Sequence, residues 1–224
     1  MNQGVFESQI NTAWDLLKKV GLAGTRVWRP KKFLRPAATS RVLSYDEIWE
    51  SYIRNQFHHF SLRDYSLLEF RVDSYQPLKM SYVYLECPFI GQSYSEFLDT
   101  EGVVADDGDD SYWEFYEDYL ANTPHKSSVT PIRYDYDVKN YEPGLHPASH
   151  IHFGYGNEIR IATNRILRPL SFVLFIIRQR YKSEWRELVG IDKMKIVCKN
   201  VRESLDNVDS QYFKSLDDWE MRLD

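Results

Sequence analysis

The stretch Ile132-Arg-Tyr-Asp-Tyr-Asp137 and the stretch Ser149-His-Ile-His-Phe-Gly-Tyr-Gly-Asn-Glu-Ile-Arg-Ile161 decide the fold. Both alternate polar and apolar residues with a period of two. Side chains alternate across a strand, so residues two apart share a face. Arg133, Asp135 and Asp137 therefore oppose Ile132, Tyr134 and Tyr136. His150 and His152 oppose Ile151 and Phe153, and Glu158 and Arg160 oppose Ile159 and Ile161. Gly154-Tyr-Gly-Asn157 is hairpin turn material between the last two runs. If the three strands are neighbours, their apolar faces form one core layer. Their other faces then gather arginines, carboxylates and histidines.

Upstream, residues 65–72 and 78–87 also alternate, and residues 73–77 between them are rich in turn formers. This predicts another antiparallel hairpin. Residues 5–20 carry apolar side chains at three- and four-residue spacings and end at Gly21, which predicts an amphipathic helix. Ser44-Tyr-Asp-Glu47 opens a second helix with a capping box. Residues 111–122 read as an aromatic, acidic helix after the acidic loop 105–110. Residues 169–187 read as a helix whose first half is apolar nearly all round, as in a helix buried on a sheet. Residues 25–40 are basic and Pro-containing and read as an extended connector. Beyond residue 197 the chain is polar, with Tyr212, Phe213, Leu216 and Trp219 as anchors. The expected architecture is α+β: a mainly antiparallel sheet packed on one face by helices. One domain spans residues 1–224, with a helical N-terminal part (1–56), an α+β core (57–190) and a C-terminal extension (191–224).

The chain has 224 residues and a net charge of −5, with a pI near 5.7. That charge argues against a free-standing nucleic-acid coat protein, which would be basic. It leaves room for a nuclease with a local basic patch. The two cysteines, Cys87 and Cys198, lie in strand-like apolar surroundings and read as free, buried thiols. No signal peptide and no spanning segment is legible, which predicts a soluble, cytoplasmic protein away from membranes.

The run His146-Pro-Ala-Ser-His150-Ile-His152 sits in the middle of the polar face. Three readings of it compete. It can be the wet face of a half-buried sheet. It can carry acid–base catalysis on a phosphodiester, one imidazole taking a proton while the other gives one, with Arg133 or Arg160 stabilising the developing charge. Or it can hold a divalent metal, Zn or Mn/Mg, on His150 and His152, with His146, Asp135 or Asp137 completing the set. His58 and His59 are adjacent, so their side chains diverge and a shared site is not expected. The spacing of Glu69, Arg71, Asp73 and Glu86 does not match the common restriction-type nuclease core.

Arg133-Tyr-Asp-Tyr-Asp137, the histidine run, Arg160-Ile and Pro169-Leu-Ser-Phe-x-x-Phe-Ile-x-Arg178 with Tyr181 together resemble the bacterial domain-of-unknown-function family 2290. The likeness is specific over residues 130–185 and extends loosely to about residue 60. One departure is Arg168, where a Thr is expected before the proline. The family is similar to a small subunit encoded beside a helicase in some antiphage systems. The resemblance thus implies a helicase or ATPase partner and nucleic acid reached through that complex, but no catalytic residues. The functional expectation is a defence-associated effector, with a nuclease at the His146/His150/His152 face. The alternatives are a non-catalytic adaptor that docks the helicase through residues 111–122, and a free-standing, toxin-like RNase.

Overall fold

A computed structural model describes the chain except residues 1, 32–42, 93, 104–110, 157–158, 215–216, 218–221 and 224. Eight strands form one sheet whose spatial order is the chain order: β1 (Ala23–Arg26), β2 (Phe60–Leu62), β3 (Leu67–Tyr75), β4 (Leu78–Leu85), β5 (Ile132–Asp137), β6 (Ser149–Phe153), β7 (Ile159–Thr163) and β8 (Arg222–Leu223). Every pairing is antiparallel except β7 with β8, so the sheet is a meander closed by one parallel edge strand.

The expected neighbours are neighbours. Tyr134 pairs with Ile151, and Ile151 with Ile161. One cross-strand row therefore reads Phe70, Tyr82, Tyr134, Ile151, Ile161. Helices α1 (Gln3–Lys19) and α5 (Pro169–Arg180) bury this face, with Phe172, Val173 and Ile177 of α5 wholly enclosed. Pro169 starts α5 where its missing N–H costs nothing. Buried hydroxyls on this face are satisfied: Leu167 N donates to Tyr134 Oη at 3.0 Å, Tyr134 Oη meets Ser149 Oγ at 3.0 Å, and Ser149 Oγ donates to the Arg165 carbonyl at 2.7 Å.

The other face is split. Helices α2 (Tyr45–Arg54), α3 (Tyr94–Thr100) and α4 (Trp113–Ala121) cover one end of it, packing Trp49, Tyr52 and Tyr116 around Leu67, Val83 and Leu85. This smaller layer adds to the expected single helical layer. The remainder of that face holds the polar side chains. Ser44 caps α2, and the Ser44–Glu47 capping box forms in both directions.

Several elements differ from the expectations. The connector overlaps β1 at residues 25–26, and its residues 32–40 lie outside the described residues, as do the acidic loop 105–110, Glu158, Leu216 and Trp219. The helix expected over 169–187 breaks at Tyr181, whose N–H still reaches the Ile177 carbonyl at 2.9 Å, and resumes as α6 (Lys182–Gly190). Cys198 does not lie in a strand-like stretch. It sits on α7 (Asp192–Glu203), where Met194, Cys198 and Val201 turn one face to the core at i, i+4 and i+7. Cys87 is buried, Cys198 is half-buried and both are free. Among the described residues no helix is long and apolar enough to cross a membrane.

Candidate metal centre

Two cross-strand rows build the site. The first is Arg71, Ser81, Asp135, His150, Ala162 and the second is Glu69, Val83, Arg133, His152, Arg160. Both histidines are nearly inaccessible, at 1% and 2% exposure, which is unusual for groups that ionise near neutrality.

His150 Nδ1 lies 2.7 Å from the Pro147 carbonyl, which can only accept. Nδ1 therefore carries the proton, which leaves Nε2, 3.9 Å from Asp135 Oδ2, as the unprotonated nitrogen of the neutral ring. His152 Nε2 lies 3.5 Å from the same oxygen. The His152 and His146 Nδ1 atoms are buried without a hydrogen-bond partner. One ligand atom each from Asp135, His150 and His152 fall within 4.8 Å of one another, and this is the metal-capable cluster among the described residues. Two atoms each ~2.1 Å from a tetrahedral ion stand about 3.4 Å apart. The donors are thus spaced for an ion with only small side-chain adjustments. The His150 Nδ1–carbonyl bond is the outer-shell contact that fixes a ligating tautomer.

The electrostatics fit the same set. Burial draws the His150 imidazole down to about 4 against the pull of Asp135, and burial also lowers His152. Both are neutral at pH 7, the form that ligates. Burial alone would raise the Asp135 carboxyl. His152, Arg133 and Ser81 outweigh it and hold Asp135 well below the usual carboxylate range. Arg133 Nε donates to Asp135 Oδ2 at 2.7 Å.

The other expected residues are placed as follows. Arg133 and Arg160 line the same cavity, which encloses about 270 Å³. His146 packs edge-on against His150 with ring centres 5.0 Å apart, but stands outside the three-residue cluster. Asp137 shares the face one row away. Its oxygens accept from Lys79 Nζ (2.7 Å), Asn140 Nδ2 (2.8 Å) and Lys139 N (3.0 Å), so it caps a 3-10 turn at 138–140.

Sequence reasoning missed two contributions. Glu69, Arg71 and Asp73 line the cavity from β3, with Tyr52 of α2 donating to Glu69 at 2.8 Å. Their alternation was legible, but their distance in sequence from the histidines hid the shared cavity. The second is Asp217, which is buried and accepts from Tyr141 Oη (2.6 Å), Gly144 N (3.0 Å) and Lys214 N (2.7 Å). It ties the C-terminal segment to the loop that leads into His146 and Pro147. Nothing in its sequence neighbourhood marks it.

No curated protein and no solved structure matches the chain. One family model does, over residues 22–218, which is wider than the 130–185 core of the resemblance. On that match, the chain belongs to the family described as uncharacterized conserved protein, DUF2290.

Proposed function

We propose that this chain binds one divalent cation on Asp135, His150 and His152 and hydrolyses phosphodiester bonds there. The convergence of those three donors carries the reading. Two imidazoles favour Zn or Mn over Mg, and three protein ligands leave coordination positions open, as in catalytic rather than structural sites. Such an ion supplies a bound water acidic enough to attack near neutral pH. The chain's own residues do the rest. Arg133 and Arg160 offer guanidinium donors to the phosphate oxygens, where charge builds in the transition state. His150, pinned by Pro147, keeps its lone pair aimed into the cavity. The resemblance supports placing this activity beside a helicase or ATPase in antiphage defence, with nucleic acid delivered through the complex.

The test is calorimetric titration of the chain with Zn²⁺ and Mn²⁺, alongside cleavage of single- and double-stranded oligonucleotides. Wild type binds one ion and cleaves, and a chelator abolishes cleavage. Cleavage that survives the chelator would replace the metal with the acid–base pair of His150 and His152, which the 3.5 Å His152–Asp135 contact favours. A second reading, the non-catalytic adaptor, is favoured by Phe115 of α4, exposed at 63%. It predicts helicase capture that survives H150A/H152A, with no cleavage by wild type. Growth arrest when the chain is expressed alone would point to the toxin-like RNase.

A further inference from the structure

Trp28 is the most exposed large apolar side chain among the described residues, at 75%. Its indole is not loose. The Arg26 guanidinium lies 3.7 Å over the ring centre, and Arg26 is itself held by Asn11 Oδ1. The backbone on either side is fixed, with Val27 N bonded to the His59 carbonyl at 2.9 Å and Lys31 N to the Gln56 carbonyl at 3.1 Å. One face of the indole is thus backed by a cation while much of the ring stays open to solvent. Arg29 and Lys31 flank it, both exposed. The surrounding sequence is unlike the rest of this acidic chain: residues 16–45 hold eight basic residues and no acidic one.

We propose that residues 26–31 bind a single-stranded nucleic acid, one base stacking on Trp28 and the adjacent phosphates pairing with Arg29 and Lys31. An aromatic plate interleaved with cations is what a sequence-tolerant single-strand contact requires, because every base has a stacking face. A duplex keeps its bases stacked on each other and cannot offer one to the indole. This element is separate from the metal centre and does not rest on it.

The experiment is fluorescence anisotropy of labelled 12-nucleotide DNA and RNA strands with the full chain, in chelator so that hydrolysis plays no part. W28A weakens binding roughly five- to a hundredfold, while W28F stays within about threefold of wild type. R29A/K31A lowers the slope of log affinity against log salt by about 1.4, two single-strand phosphate contacts. Because binding is read in chelator, a failed metal site leaves this result standing. The proposal is overturned if wild type binds neither strand, if W28A binds as tightly as wild type, or if W28A weakens a 12-base-pair duplex equally.

Discussion

Two pairs of sheltered histidines stand in this sheet, and they differ by a single residue of spacing. His58 and His59 are adjacent at the entry to β2. Their rings diverge: His58 Nδ1 donates to the Tyr52 carbonyl at 3.1 Å, and His59 Nδ1 accepts from Phe70 N at 3.2 Å. His59 also packs edge-on against Phe60 and Phe70. The backbone thus takes up a nitrogen of each ring. His150 and His152 are two apart on one strand, and their ring centres lie 4.7 Å apart over one carboxylate. The lesson is that a pleat turns spacing into either structure or chemistry. Alternation collects like groups, while adjacency disperses them to opposite surroundings.

The sharpest way to break this contrast is to remove each pair in turn. H150A/H152A is expected to abolish stoichiometric Zn²⁺ binding and to cut cleavage by more than about a thousandfold. Metal titration by calorimetry and a cleavage assay check this. H58A should leave metal binding untouched but destabilise the fold by about 2 kcal/mol, through the cavity left by a buried ring and the loss of one of two hydrogen bonds to the Tyr52 carbonyl, which keeps Phe57 N. Retained cation binding in the first variant, or lost binding in the second, would erase the distinction.

Acid tests the first pair next. Burial draws the His59 imidazole down to about 3, helped by His58 and Arg26. Its folded pKa is therefore below the unfolded value of about 6.5, so the unfolded chain binds the extra proton. Stability is full above pH 6.5 and falls as pH drops from there toward 3, by about 2 kcal/mol for this group at pH 5. Denaturant midpoints of H59F compared with wild type at pH 7.5 and 5 measure it, the variant having the shallower fall. The smallest effect concerns Asp137. D137N should cost about 1 kcal/mol by weakening its ties to Lys79 and Lys139 N, and should change metal affinity less than about threefold. A larger loss of affinity would bring Asp137 into the cation's shell.

Sequence alone carried the polar face a long way. Strict alternation in 132–137 and 149–153 sets which side chains share a face, because a one-residue slip would put Tyr134 and Ile151 into the cavity, while the pairing of the strands is supplied by the structure. The Ser44 cap was equally legible, since Glu47 stands three residues on. Other elements left no local trace. Strand β2 is three residues long, too short to show a period. Met194-Lys-Ile-Val-Cys198 looked strand-like because Ile196 and Val197 are apolar, yet both face solvent and the helical stripe runs through Met194, Cys198 and Val201. The cavity wall from β3 and the Asp217 anchor are products of long-range folding, which no window of sequence contains.

The chain-order meander has a consequence in time. Each strand up to β7 pairs with the one before it, so the antiparallel sheet can assemble by successive short loop closures, the least costly kind. The floor of β3 and β4 can be complete before β5 and β6 bring the donors to it. Asp217 follows all of these strands in the chain, and with the edge-on contact of Tyr212 on Tyr141 it draws the C-terminal segment onto the loop before His146. The donors meet when β6 pairs with β5, so a chain still without its C-terminal segment would hold the paired donors but lack the tie that steadies the loop before His146.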